Sequence, residues 1–274
     1  MFERAALEER SQLDAAIQIY YTRYYRDRLG LPDWEQRVNL RLHEDDVCLK
    51  QEVEWVERWI NYRFCNKRIL LVGAGTGAEF VGFSKRNCAV FAVEPNPEAV
   101  KIGQLKARLL NIETGQFIRG AGEALPFFKD SFDFVWCYTV LEHVQCVRSC
   151  ISEMIRVTRP LGYVFIETPD YRQFYEPHYK VTMPMFAPRW LLRLWLRVLR
   201  RPTEFLDSLQ FVSSRFLANL FQEFPVTAFQ VIHSWPDSWR SNPTFQTRLT
   251  QWVTKTFGIQ RDQFWLLQKL ERPR

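Results

Sequence analysis

A chain of 274 residues, 47% hydrophobic and 15% aromatic, can bury a sizeable core, which excludes a disordered or low-complexity protein. With 37 basic and 31 acidic side chains the net charge is +6, an excess that suits an anionic partner or a membrane surface but does not by itself indicate nucleic acid. The six cysteines, at 48, 65, 88, 137, 146 and 150, contain no CxxC pair, so neither a zinc cluster nor a disulfide scaffold is indicated and reduced thiols in a cytoplasmic enzyme fit best.

In chain order, residues 1–64 have helical spacing and no strand signal. Leu13, Ile17, Tyr20, Tyr21, Tyr24 and Tyr25 share one side, and Val47–Ile60 repeats the pattern, which predicts a helical N-terminal extension or cap. Its opening, MFERAALEERSQLD, mixes charges where a signal peptide needs an apolar core. No run in the chain approaches the roughly 18 apolar residues of a membrane span. From 68 to about 168, short apolar runs (RILLVG, AVFAVE, GQFIRG, FDFVWCY, GYVFIET) alternate with helical patterns at 77–86, 97–110 and 146–158. That rhythm predicts an α/β, doubly wound, Rossmann-like parallel sheet. Residues 170–207 interrupt it with four prolines and read as a helical insertion after the fifth strand. Ser213–Phe224 then reads as a helix, and AFQVIHSW and QFWLLQKL as two late strands, all within a main domain of 65–274.

In ILLVGAGTGA, glycines at 73, 75 and 77 follow a strand and open a helix. There the backbone must turn sharply and approach a ligand closely. Glu94 ends the next strand, where a carboxylate can accept both hydroxyls of a ribose. The pair points to an adenosine-containing ligand. Gly73, Gly75 and Ala78 also satisfy the dinucleotide fingerprint, so an NAD(P)-dependent oxidoreductase stays open on these residues.

The blocks GAGEALPFFKDSFDFVWCYTVLEHV (120–144) and EMIRVTRPLGYVFIETP (153–169), in order behind the glycine loop, resemble the class I S-adenosylmethionine-dependent methyltransferases of the type 11/type 23 group. The resemblance implies a seven-stranded, mostly parallel sheet whose last strand is antiparallel, and S-adenosylmethionine as cofactor. It implies Gly73, Ala74, Gly75 and Gly77 beneath the donor's methionine part and Glu94 on its ribose. Gly122 and Glu123 fall at the adenine edge, and Cys137 and Tyr138 beside the sulfonium and acceptor. Three positions depart from the family: Leu71 and Ala121 replace acidic residues, and Pro160-Leu161-Gly162 replaces Pro-Gly-Gly. A catalytically degenerate binding protein is therefore a further alternative.

Transfer from a sulfonium needs a base only for a hydroxyl or protonated amine, and a neutral imidazole takes a proton near pH 7. His143, in VLEHV, and His178, in the insertion where the resemblance puts the acceptor pocket, are the catalytic candidates. Oxygen on a small or amphiphilic acceptor is the expected target. Glu142, His143 and His178 are a conceivable metal set, but Thr139 stands where metal-using relatives carry a glutamate, and no metal is expected. The segment RWLLRLWLRVLRR (189–201) puts Arg189, Arg193, Arg197 and Arg200 on one stripe of an apolar helix, read as a lid, a core helix or a peripheral membrane contact. A lipid-linked acceptor would suit the last, and no nucleic-acid partner is expected. The tyrosine run at 19–27 reads as buried packing or as cover for the pocket.

Overall fold

The computed structural model describes residues 2–43, 50–183, 185, 187–231 and 262–271. Helices α1 (Phe2–Thr22), α2 (Trp34–Leu42) and α3 (Lys50–Trp59) come first, α1 passing into a wide π-helical turn, Arg23–Arg28. Strands and helices then alternate: β1 (Arg68–Val72), α4 (Ala78–Ser84), β2 (Ala89–Glu94), α5 (Pro97–Leu109), β3 (Phe117–Arg119), β4 (Phe132–Tyr138), α6 (Val147–Val157) and β5 (Thr158–Pro169). A short hairpin of β6 (Tyr175–Glu176) and β7 (Val181–Thr182), with α7 (Arg189–Val198) and α8 (Glu204–Asp207), forms the insertion. It is followed by α9 (Ser214–Phe221), β8 (Val226–Val231) and β9 (Asp262–Lys269).

Local chemistry sets these boundaries. Asn96 accepts the N–H groups of Glu98 and Ala99 and Pro97 opens α5, a cap and first turn that fix where the helix starts beyond β2. Ser213 caps α9 in the same way, through the Phe216 N–H. The four residues Ile69–Val72 of β1 are all buried, as a strand covered on both faces requires.

The sheet order is β3-β2-β1-β4-β5-β9-β8, parallel from β3 to β5, with β9 running antiparallel between β5 and β8. This is the predicted seven-stranded sheet. It differs from the 3-2-1-4-5-6 order of dinucleotide-binding folds because the last strand inserts beside β5. The sequence pattern placed β5 at 162–168, whereas it begins at Thr158 and carries a bulge: Phe132 pairs with Thr158, and Phe134 next with Tyr163. Leu161 sits there at a φ of 61°, the left-handed conformation the family's glycine would adopt freely. The predicted late strand AFQVIHSW begins two residues earlier, at Val226, and its residues 232–235 lie outside the described part.

Alternation along the strands divides the core in two. Leu70, Val72, Val135, Cys137, Val164 and Ile166 face α6 and α9, while Ile69, Leu71, Phe134, Trp136 and Phe165 face the other layer, which includes Val53 and Val56 of α3. A third cluster joins the N-terminal segment to the insertion: Leu13, Ile17, Tyr21 and Tyr25 pack with Tyr179, Leu192, Leu196 and Phe205. The two parts flanking the sheet domain in sequence are thus one apolar body in space. Tyr21 and Tyr25 are buried in it, as the packing reading of the tyrosine run expects.

Candidate functional site

The glycine loop lies at the carboxyl end of β1. Gly73, Gly75 and Gly77 have φ values of 69°, 53° and 84°, and the N–H groups of Gly73 and Ala74 both donate to the Val93 carbonyl. The three glycines do different work. A Cβ on Gly73 would lie 2.4 Å from Val140 Cγ2 and one on Gly77 2.9 Å from the Phe117 ring, whereas one on Gly75 would meet nothing within 4 Å. Gly73 and Gly77 therefore serve packing, and Gly75 faces open space.

Glu94, at the end of β2, is tied to this loop. Its Oε2 accepts the Gly75 N–H at 2.9 Å and its Oε1 the Asn96 N–H at 2.9 Å. Burial raises its carboxyl pKa, and these two backbone hydrogen bonds oppose the rise. The N-terminal segment covers the loop: Tyr21 Oη and Thr76 Oγ1 are hydrogen-bonded at 2.9 Å. Burial and then the Glu94 charge push the Tyr20 phenol up to about 12. A cleft of about 430 Å³ is lined by Tyr20, Tyr24, Arg28, Asn96, Glu98 and Glu204.

The other predicted site residues have partners within the protein. The Glu123 carboxylate accepts the N–H groups of Gln145, at 2.7 Å, and Cys146, at 3.4 Å, just ahead of α6. A Cβ on Gly122 would lie 2.7 Å from Cys150 Sγ, so close packing against α6 demands a glycine there. Cys137 is fully buried in the core, and burial raises its thiol pKa well above the usual range, so only its main chain remains for a ligand. Tyr138, half-buried, stacks on Trp136. Leu71 is 1% exposed among apolar side chains. Leu71→Asp would remove that packing and bury an acid among them, at a cost of about 3–5 kcal/mol. Chemical denaturation of the variant is expected to show that loss.

The structure brings His143 and His178 together, with ring centroids 4.9 Å apart and planes at 71°. Chain geometry after β4 makes this possible. Thr139 takes a left-handed φ of 53° and donates its N–H to the Glu167 carbonyl at 2.9 Å, turning the chain so that Val140 packs on Gly73 and Glu142 points inward. Glu142 is fully buried: Oε2 accepts the Thr168 hydroxyl at 2.9 Å, and Oε1, without a hydrogen bond, lies 4.0 Å from Nε2 of both His143 and His178. The β6–β7 hairpin delivers His178, whose Nδ1 is 2.7 Å from Glu176 Oε1, while Glu176 Oε2 accepts the Tyr179 N–H at 2.6 Å. Phe205 of α8 lies over both imidazoles, and the Arg28 guanidinium over Phe205.

The two imidazoles are unlike. Burial, then the His178 and Arg28 charges, push His143 down to about 3, so it is neutral at pH 7. Burial also works against charge on His178, but the Glu176 hydrogen bond and the Glu176 and Glu142 charges outweigh it and raise its pKa. Burial pushes the Glu142 carboxyl up to about 7, against the pull of His178 and Thr168. Burial and mutual charge thus set the proton affinities of the three groups apart. The Glu142, His143 and His178 ligand atoms lie within 4.8 Å of one another, a spacing from which a cation could be held. Glu176 and Phe205 were not singled out from sequence. The spacing Glu176-Pro177-His178 was the signal for the former; Phe205 left none.

Residues 70–166 match a family described as a methyltransferase domain. The uncharacterized methyltransferase YcgJ of Bacillus subtilis is 33% identical over 95 residues, 35% of this chain and 38% of that one. An uncharacterized methyltransferase of Mycobacterium avium is 37% identical over 98 residues, 35% of this chain and 37% of that one. The chain thus spans under two fifths of the length of these curated relatives. The crystal structure of B. subtilis YcgJ superposes with a TM-score of 0.53 at 20% identity, covering 80% of this chain and 99% of that one. That of an S-adenosylmethionine-dependent methyltransferase from Mesorhizobium loti gives 0.55 at 14%, covering 79% and 97%. These structures share the fold of this chain, whose glycine loop and Glu94 stand at the carboxyl edge of the parallel strands, where such sheets bind ligands.

Proposed function

We propose that this chain transfers the methyl group of S-adenosylmethionine to a hydroxyl of a small or amphiphilic acceptor. The observation that carries this reading is the Glu94 carboxylate hydrogen-bonded to Gly75 N–H inside a methyltransferase domain, beside the one loop glycine that faces open space. Gly75 and the neighbouring main chain would hold the methionine part, and Glu94, with lone pairs beyond its two backbone bonds, the ribose hydroxyls. When bound, the sulfonium supplies an activated methyl group, so the protein's task is positioning, water exclusion and proton handling.

The residues divide that task. Tyr21 on Thr76 and Phe205 on the imidazoles roof the two ends of the site. His178, with Nδ1–H donated to Glu176, keeps Nε2 as the proton acceptor for an attacking hydroxyl. His143, held neutral at pH 7, lines the site beside it without adding charge. Glu142 favours the His178 imidazolium as it forms. The oxidoreductase reading shares the glycine loop but not the antiparallel β9 between β5 and β8.

The test is S-adenosylhomocysteine release with an amphiphilic phenol, its methyl ether and the corresponding aniline. Release with the phenol alone is expected. Release with the aniline alone would overturn oxygen as the target while leaving methyl transfer intact.

A further inference from the structure

Helix α7 buries only Leu192 and Leu196, which join the cluster shared with the N-terminal helices. Its outward face is apolar as well. Trp190, Leu194 and Val198, spaced i, i+4, i+8, are 65%, 49% and 72% exposed, with Trp195 and Leu199 at 45% and 41% beside them. A surface helix ordinarily turns polar side chains outward, so an apolar outer face marks a place where something else meets the protein.

The arginines decide what that is. Arg189 donates to the carbonyls of Leu206 and Leu209, and Arg193 pairs with Asp207 at 2.6 Å, so these two knit α7 to α8. The guanidinium groups of Arg197 and Arg200 have no ion-pair or hydrogen-bond partner among the described residues, and residues 187–203 contain no Asp or Glu. A second copy of the helix would bring arginines and no carboxylate to meet them. Ten residues also present far less than the roughly 800 Å² per partner of a stable protein interface. An anionic bilayer supplies both complements: tryptophan and aliphatic side chains enter the headgroup boundary while guanidinium groups reach lipid phosphates.

We infer that α7 docks this protein on anionic membrane surfaces, lying in the interface plane on its Trp190–Leu194–Val198 face. No helix among the described residues is long and apolar enough to cross a membrane, so the contact is peripheral in kind. Because the inner face of α7 packs in one cluster with Tyr179 and Phe205, the docked helix would set the histidine side of the cap against the lipid. The inference stands independently of methyl transfer.

The test is co-sedimentation of the full chain with vesicles of phosphatidylcholine alone and of phosphatidylcholine and phosphatidylglycerol in equal parts. Binding to the anionic vesicles that weakens with salt is expected, falling about tenfold or more in Trp190→Ser with Val198→Ser and also in Arg197→Gln with Arg200→Gln. All four side chains point away from the core, so unchanged melting temperatures verify that the variants fold. Equal sedimentation of wild type and both variants, or no binding by wild type, would overturn the inference. So would a wild-type dimer in sedimentation velocity that Trp190→Ser with Val198→Ser abolishes, since the face would then belong to a second copy.

Discussion

Gly75→Trp is expected to abolish binding of S-adenosylhomocysteine, weakening it by at least about a hundredfold, while the protein stays folded. The two outcomes separate because the loop glycines are not equivalent. A Cβ at Gly75 meets no protein atom within 4 Å, so the indole would occupy ligand space rather than core. The cost to the fold is confined to a side chain at a φ of 53°, about 1–2 kcal/mol. Gly73→Ala is the control, since its methyl would drive into Val140 at 2.4 Å and shift a β4 turn that also carries Glu142 and His143. That variant should lose stability along with affinity. Calorimetric titration and thermal melting on the pair distinguish a ligand-facing glycine from a packing glycine. Retained affinity in Gly75→Trp would remove the loop from the site.

His178→Ala should lower kcat by about 10²–10⁴-fold with KM little changed, the range for a lost general base. A pH profile makes the test specific. The base is active unprotonated, so the rate should rise with pH through the raised pKa of His178. Glu176→Gln removes the hydrogen-bonded carboxylate that favours the charged ring. In that variant the acidic limb should move to lower pH and the maximal rate fall less than in His178→Ala. A purely structural role for His178 would lower the rate at every pH and leave the limb in place. The same sign governs stability: the raised pKa means that His178 stabilises the fold below its unfolded value near 6.5 and that this contribution fades as pH climbs through the folded pKa.

The sheet was readable in the sequence because local signals specify it. RILLV and AVFAVE are continuous apolar runs that only a doubly covered strand explains, and Asn96-Pro97 announces the helix between β2 and β3. His143 and His178 could be nominated singly, from scarcity and from chain position. Their proximity could not, because it depends on the left-handed turn at Thr139 and on a two-residue-strand hairpin whose register places Glu176 beneath the ring. The resemblance put Glu123 at the adenine edge, but its bonds to Gln145 and Cys146 depend on how α6 is presented, 22 residues on. The union of the N-terminal helices with the insertion was the least legible feature. Tyr25 and Leu192 are far apart in sequence, and neither periodicity says which apolar faces meet. The arginine stripe of α7 was plain from spacing, but which arginines are committed to α8 and which have no side-chain partner among the described residues emerges only from the fold.

The central claim is that residues 73–77 with Glu94 form an S-adenosylmethionine site. Isothermal titration of the purified chain with S-adenosylhomocysteine, and separately with NADH, tests it most directly. Saturable, roughly micromolar binding of S-adenosylhomocysteine with no heat from NADH is the predicted result, about −8 kcal/mol on the usual scale. Binding of NADH alone, or of neither ligand, would contradict it.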